Sequence, residues 1–334
     1  MTIKDIAKKA GVSTASVSRV INSAANVSEE LHNKVMAIIE DLEYKPNSIG
    51  KQLRTSKSEK ILVLLPTMSN PFYSKVIEGI ESKCNSLNYG TLLACINANN
   101  NQEKKYIELL TTKQVDGIIS FFSTLDVEHI NKLAESFPLV HCCEYLEDTI
   151  APYVCIDDEK AGYDAVSYLI SIGHEKIGMI SGCHSNGSAY RREYGYRRAL
   201  EKAGIPFKES FLVKSSYDYK GGEESCKKLF SIQEPPTAIF AVSDPIAIGA
   251  IKYLNSQGII VGKDVDVMGF DNSSISEVFT PTLSTVSQPR FELGEIAVEL
   301  LMDKITNLNS VNKSVLLSHK LILRESTRTK MPEI

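Results

Sequence analysis

From residue 61 onward short apolar runs alternate with amphipathic stretches, and this alternation limits the fold more than any other feature of the chain. The runs read ILVLLP (61–66), TLLACI (91–96), DGIISFF (116–122), PLVHCC (138–143), YVCID (153–157), KIGMIS (176–181), TAIFAV (237–242) and DVDVMGF (264–270). Between most of them lie helical stretches, at 73–87, 102–114, 159–172, 190–203, 219–231 and 244–257. Repeated strand–helix–strand units predict an α/β body of parallel sheets covered by helices on both faces. There are too many strands for one small sheet, and the pattern restarts near 157. Two subdomains of similar topology are therefore expected. A long helix at 290–306 and the final run SVLLSHKLILR (314–324) are expected to cross back between them.

The first 58 residues follow a different rule. Ile3, Ile6, Ala7 and Ala10 recur at helical spacing, and Gly11 stops the helix. Ser13 suits the N-cap of a second helix, because its hydroxyl can accept from the free amides of the first turn. Val17, Val20 and Ile21 give that helix an apolar face, while Ala15, Ser18, Arg19 and Asn22 form the opposite face. Two short helices joined by a Gly-containing turn make an all-α helix-turn-helix. Its second helix presents side chains of the types that reach base edges: arginine for guanine, a methyl group for thymine, asparagine and serine for adenine or phosphate. Ser28 caps a third helix, Glu29 and Glu30 suit its positive end, and Leu31, Val35, Ile38, Ile39 and Leu42 form its core face.

Charge is distributed to match. Residues 1–58 hold nine Lys and Arg against six Asp and Glu, a net +3, so the rest carries −7 of the total −4. A basic head on an acidic body suits a protein that meets phosphate with its head alone. No run of 18 apolar residues is present, so no membrane span is expected. No apolar segment follows Met1 as a signal peptide requires, and the seven cysteines are odd in number and lack any CxxC. A cytoplasmic protein without disulfides is expected. HCCE (141–144) offers soft metal ligands, but successive strand side chains point to opposite faces, so no metal or other cofactor is expected. GCHSNGS (182–188) has the look of a phosphate loop without its lysine, and no enzymatic activity is expected.

The strings TIKDIAKKAGVSTASVSRVIN (2–22) and NVSEEL (26–31) resemble the N-terminus of the LacI/GalR family of bacterial transcriptional regulators at nearly every position. The body carries matching phrases: NPFY, QVDGII, GHEKIGMISG, PPTAIFAVSDPIAIGA, VMGFDN and LSTVSQPRFELGEIAVELLMDKI. The resemblance runs from residue 2 to about 328. It implies a periplasmic-binding-protein-like body behind the DNA-binding head. The expected division is 1–45 for the head, 46–59 for a hinge helix and linker, and 60–330 for the ligand-binding and dimerisation body. Within the body the subdomains are expected near 60–156 with 289–316, and 157–288 with 317–330. The resemblance also implies that NSIGKQL (47–53) is a hinge helix that folds on DNA, with Leu53 wedged into the minor groove. Gly50 stands where the family usually has alanine, which makes such a helix more marginal by about 1 kcal/mol. The expected DNA contacts are Thr2, Ser13, Thr14, Ala15, Ser16, Ser18, Arg19, Asn22, Asn47 and Leu53.

Ligands of open parallel sheets bind beyond the carboxyl ends of the strands, and in two-lobed proteins they bind between the lobes. That rule selects Phe72 and Tyr73, Ser123, Ser188 and Arg192, Tyr217, Asp244 and Asp271. The aromatics can stack on a base or a sugar face. Arg192 offers a planar fork and Asp271 two acceptors, the complement of vicinal hydroxyls. These positions match the family's effector-pocket motifs. Against that stand two plainer readings: Phe72 and Tyr73 as core at a strand–helix junction, and Asp244 as a helix cap. Two departures bear on specificity: Asn186 stands where a purine-binding member has arginine, and Cys143 where many members have a polar ligand contact.

The chain is therefore expected to be a ligand-controlled repressor that senses a nucleoside or pentose-like sugar. One head reads only a few base pairs, so a homodimer on a pseudo-palindromic operator is expected, with a tetramer left open. The rival expectation is a sugar-binding solute protein without a transcriptional role, which leaves residues 1–58 unexplained.

Overall fold

The structure is a computed structural model that describes residues 2–21, 27–42, 57–97, 99–183 and 187–328. It divides into two compact units, 1–58 and 59–334.

In the first unit α1 (Ile3–Ala10), α2 (Thr14–Ile21) and α3 (Glu29–Asp41) enclose a small core. Gly11, at φ +70°, lets the chain leave α1 in the left-handed region, and the Val12 amide reaches back to the Ala7 carbonyl at 3.0 Å. The Ser13 hydroxyl accepts from the Ser16 amide at 3.1 Å and starts α2, while Ser28 accepts from Leu31 at 3.4 Å and starts α3. Such caps are each worth about 1 kcal/mol. Ile6, Val17 and Val35 are shielded from water at the centre, with Leu31, Ile38, Ile39 and Leu42 packed around them. Each fully buried side chain of this size contributes about 1.5–3 kcal/mol.

The second unit holds two six-stranded sheets. The first takes its strands from β1 (Lys60–Leu65), β2 (Gly90–Cys95), β3 (Gly117–Ser120), β4 (Leu139–Cys142), β5 (Tyr153–Ile156) and the late β11 (Val315–Leu317). Its order is β11-β5-β4-β3-β1-β2. The second has β6 (Ile177–Gly182), β7 (Leu212–Ser215), β8 (Ala238–Ala241), β9 (Asp266–Asp271), β10 (Ser284–Ser287) and β12 (Lys320–Ile322), in the order β12-β10-β9-β8-β6-β7. Both lobes are thus the parallel, helix-covered sheets expected. The exception among the described residues is β12, which pairs antiparallel with β10.

Helices cover the sheets. α4 (Phe72–Ser86), α5 (Asn100–Thr111), α6 (Val127–Ser136) and α12 (Arg290–Thr306) enclose the first, with one core on each face. α7 (Asp158–Ser171), α8 (Ser188–Lys202), α9 (Tyr219–Phe230) and α10 (Asp244–Ser256) enclose the second, and the short α11 (Ile275–Val278) follows β9. The chain passes between lobes after β5, between β10 and α12, and between β11 and β12.

α7 and α8 approach closely because each presents a glycine to the backbone of the other. A Cβ on Gly162 would lie 2.5 Å from the Arg192 carbonyl oxygen, and one on Gly195 would lie 2.1 Å from that of Glu159. Side chains at either position would separate the helices and move Arg192.

Several elements differ from the sequence expectation. SVLLSHKLILR, expected to pass between the subdomains near 316, does so slightly later, as two short strands in different sheets joined by Ser318 and His319. β10, STVS, has no apolar signature, yet Ser284 and Thr285 are fully buried. Their hydroxyls are satisfied: Ser284 donates to the Arg324 carbonyl at 3.1 Å and Thr285 to Asp244 at 2.6 Å. Bonded hydroxyls can be buried at little cost, and hydropathy does not register them. α6, in which Ile130 is the one fully buried residue, has no counterpart among the expected helices.

Candidate functional site

Two candidate surfaces arise, one in each unit. In the head, α2 buries Val17 and Val20 and turns Thr14, Ala15 and Arg19 to solvent, with Ser16 and Ser18 half-buried. Ser13 and Ser16 share a hydroxyl–hydroxyl bond at 2.9 Å, so these two serines first serve the start of α2. Thr2 caps α1, its amide and hydroxyl both donating to Asp5 at 2.8 and 3.0 Å. Asn22, Asn47, Gly50 and Leu53 lie outside the described residues.

In the body, a cavity of about 180 Å³ opens between the two sheets, at the carboxyl ends of their strands. Pro66 and Thr67 after β1, Asn97 after β2, Phe121 and Phe122 after β3, and Cys143 and Glu144 after β4 line one side. Asn70, Phe72 and Tyr73 join them at the start of α4, where the Asn70 side chain accepts from the Phe72 amide at 3.0 Å. Tyr73 stands edge-on to both Phe72 and Phe121, each centroid 5.4 Å away, and forms an aromatic wall. Ser188 and Arg192 from α8, Tyr217 after β7, Asp271 at the end of β9 and Gln288 after β10 line the other side.

Arg192 is the centre of that second side. Its Nε donates to Asp158 at 2.8 Å, its Nη1 donates to the Val242 carbonyl at 2.6 Å, and its guanidinium lies 3.6 Å from the centroid of the Phe270 ring. Burial pulls the guanidinium pKa down and Asp158, then Asp271, more than restore it, so the cation is held. Burial pushes the Asp158 carboxyl up while Arg192 draws it back. Asp271, with φ +113°, sits 4.0 Å from Arg192 Nη1 and accepts from Gln288 Nε2 at 2.8 Å. Burial pushes its carboxyl up to about 8, with Arg192 opposing and Asp244 reinforcing the rise. Burial likewise raises the phenols of Tyr73 and Tyr217, so both stay neutral hydrogen-bonding groups. The cavity can hold a flat apolar face against the aromatics while polar groups meet Arg192 and Asp271.

Residues 2–47 match the family of bacterial regulatory proteins, lacI family, and residues 58–325 match periplasmic binding proteins and sugar binding domain of LacI family. The chain belongs to the LacI family. Catabolite control protein A of Priestia megaterium is 36% identical over 331 residues, 98% of this chain and 99% of that one. The HTH-type transcriptional repressor CytR of Escherichia coli is 35% identical over 328 residues, covering 98% and 96%. Phrases such as DEKAGYDAVSYLISIGHEKIG, together with Gly50, resemble the cytidine repressor, but these identities do not separate the two relatives. The crystal structure of the Lac repressor dimer bound to operator and the anti-inducer ONPF has a TM-score of 0.89 at 25% identity, covering 98% of this chain and 99% of that one. As a LacI-family protein the chain is a DNA-binding transcriptional regulator that answers to a small-molecule effector. The rival solute-binding expectation falls with the match over residues 2–47.

Six of the eight effector candidates, Phe72, Tyr73, Ser188, Arg192, Tyr217 and Asp271, line this cavity. Two do not, and both are corrected. Asp244 is fully buried behind it, accepting from the Ser273 amide at 2.6 Å, the Ser273 hydroxyl at 2.8 Å and Thr285 at 2.6 Å. Nor is it the cap, since Ser243 occupies that position. Ser123 donates to the buried Glu103 at 2.6 Å and faces a separate small annex of about 50 Å³. Sequence reasoning missed Asn97, Glu144 and Gln288. The strand-end rule selects Asn97 and Glu144 when applied to β2 and β4, whereas Gln288 follows a strand that hydropathy hides. Cys143, at φ +69°, keeps its place at the cavity wall. Asn186 lies outside the described residues. Among the described residues no three His, Cys, Asp or Glu side chains converge on a metal position, and no helix is long and apolar enough to cross a membrane.

Proposed function

We propose that the interlobe cavity is the effector site and that the effector is a nucleoside or a pentose-like sugar. The observation that carries this reading is the opposition of an aromatic wall, Phe72, Tyr73 and Phe121, to the Arg192 and Asp271 pair across one cavity. A base or the apolar face of a furanose stacks on the wall, and a vicinal diol bridges the guanidinium and the carboxyl. Ser188 and Tyr217 add neutral polar contacts. The protein works as a cytoplasmic, non-enzymatic repressor, and the exposed face of α2, with Arg19, reads the operator. The hinge contacts at Asn47 and Leu53 belong to the same reading.

Calorimetry with cytidine, adenosine, uridine and ribose tests the effector class, with thermal shift as a second readout. A ligand at about 100 times its Kd adds ~2.7 kcal/mol of stability. Binding by at least one probe, lost in Arg192→Ala, is the expected result. Silence from all four, with clear binding of an unrelated metabolite, removes the nucleoside and pentose reading and leaves the regulator.

A further inference from the structure

One contact crosses the cavity between lobes, and its acceptor is not among the expected site residues. Glu144, just after β4 in the first lobe, accepts a hydrogen bond from the Ser188 backbone amide at the start of α8 in the second, at 2.9 Å. The approach depends on Gly187, at φ +85°, where a Cβ would lie 1.8 Å from Glu144 Oε1. The free amides and positive end of a helix N-terminus form a ready site for phosphate or another anion. Here the chain's own carboxylate holds that place, and Glu144 and Ser188 both line the cavity.

The cation in the cavity wall is committed as well. Arg192 is the one Lys or Arg among the described lining residues, and its Nε and Nη1 are bound to Asp158 and the Val242 carbonyl. Arg191, next along α8, does not line the cavity. Its guanidinium lies over the Tyr145 ring at 4.0 Å and its Nη2 donates to the Tyr145 carbonyl at 3.3 Å, while its buried Nη1 has no hydrogen-bond partner among the described residues. A phosphate entering the cavity would meet the Glu144 carboxyl, and Arg192, the one cation among the described lining residues, is already paired with Asp158. Leaving such a charge buried and unpaired is strongly unfavourable.

Taking the cavity as the effector site, we infer that it selects unphosphorylated ligands and that Glu144 is the specificity-determining residue that rejects phosphate. A free nucleoside or sugar is accepted, and its phosphorylated counterpart is refused at the mouth of α8. The regulator therefore responds to the product of a phosphatase or nucleosidase type of reaction, or to the substrate of a kinase, rather than to the phosphorylated pool.

The test compares wild type, Glu144→Gln and Glu144→Ala by calorimetry and thermal shift. The probes are ribose and ribose 5-phosphate, cytidine and cytidine 5′-monophosphate, and inorganic phosphate at fixed ionic strength. Glu144→Gln keeps the shape and an acceptor while removing the charge, and Glu144→Ala also uncovers the helix end. Retained circular dichroism and operator binding establish that each variant is folded. Wild type is expected to favour the unphosphorylated member of a pair by about tenfold or more, a difference of about 1.4 kcal/mol. It should gain no stability from inorganic phosphate, whereas Glu144→Ala gains phosphate-dependent stabilisation. Equal or tighter binding of a phosphorylated probe by wild type overturns the assignment. So does the absence of any phosphate effect in both variants. If neither ribose nor cytidine binds wild type, the effector-class reading fails, and the phosphate response of the variants still decides the role of Glu144.

Discussion

Arg192 Nε and Asp158 Oδ1 lie 2.8 Å apart in the wall of the cavity, with both side chains withdrawn from water. Asp158 opens α7 and Arg192 sits one turn into α8, so the pair ties two helices together and aims the guanidinium. Asp158→Ala leaves a buried cation without this partner. Breaking such a pair costs about 3–5 kcal/mol, and the value here should fall at the low end because Asp271, protonated in the native protein but only 4.0 Å away, can ionise in the variant and take over part of the charge. Urea unfolding should show a lower midpoint at an unchanged slope. A loss below about 1 kcal/mol would mean that Asp271 replaces Asp158 in full.

Asp271 gives the protein a pH dependence on the alkaline side. Its carboxyl is held protonated up to about 8 by burial. The folded state therefore binds more protons here than the unfolded chain, and the stability due to this group is lost as pH rises through about 8. His141 acts in the opposite sense, since burial lowers its imidazole to about 4 and its contribution is lost as pH falls toward that value. Between pH ~6.5 and ~8 the His141 effect is already complete, and the Asp271 effect has a ceiling of about 1.4 kcal/mol per pH unit. Asp271→Asn should flatten the wild-type decline in that window. A parallel decline in the variant would show that another group is responsible.

Gly162 sets the distance between α7 and α8. Gly162→Ala places a methyl 2.5 Å from the Arg192 carbonyl, against backbone that cannot swing aside. Overpacking of this kind costs about 1–3 kcal/mol. Melting should fall accordingly, and the affinity for whichever nucleoside or pentose probe binds wild type should fall with it, because Arg192 moves. Unchanged melting and affinity would show that the helices separate freely.

Arg19 is exposed on α2, on the face opposite Val17 and Val20. Arg19→Ala should cost about 1–3 kcal/mol on operator DNA and relax specificity at one base position of each half-site. Titration against operator and random DNA at fixed salt separates the two roles open to it. An equal loss on both would assign Arg19 to phosphate.

The elements that hydropathy revealed are those whose burial is apolar and regular. β1, β6, β8 and β9 each form a run that the structure shields almost completely. The head was legible for the same reason and through its caps, since Ser13 and Ser28 are local signals that act within one turn. The cavity was half legible. A strand-end rule finds Tyr217 and Asp271, and Arg192 one turn into the helix after β6, because the carboxyl ends of the strands gather at the ligand side of an open sheet. It misplaces Ser123 and Asp244, because the same ends also carry groups that bond backward into the protein. Ser123 is held by Glu103 and Asp244 by Ser273 and Thr285.

The sequence by itself determined the basic helix-turn-helix head, the α/β body of two sheets and the family, since all three rest on local periodicity, capping residues and strings that need no partner to be recognised. Only the folded structure shows that β12 pairs antiparallel with β10, that a polar strand is buried at β10, and which charges share the cavity. Glu144 and Ser188 are 44 positions apart, and Arg192 and Asp271 belong to elements separated by two further helices and two strands. Electrostatic balance depends on distance and burial in space, neither of which is encoded in the spacing of residues along the chain.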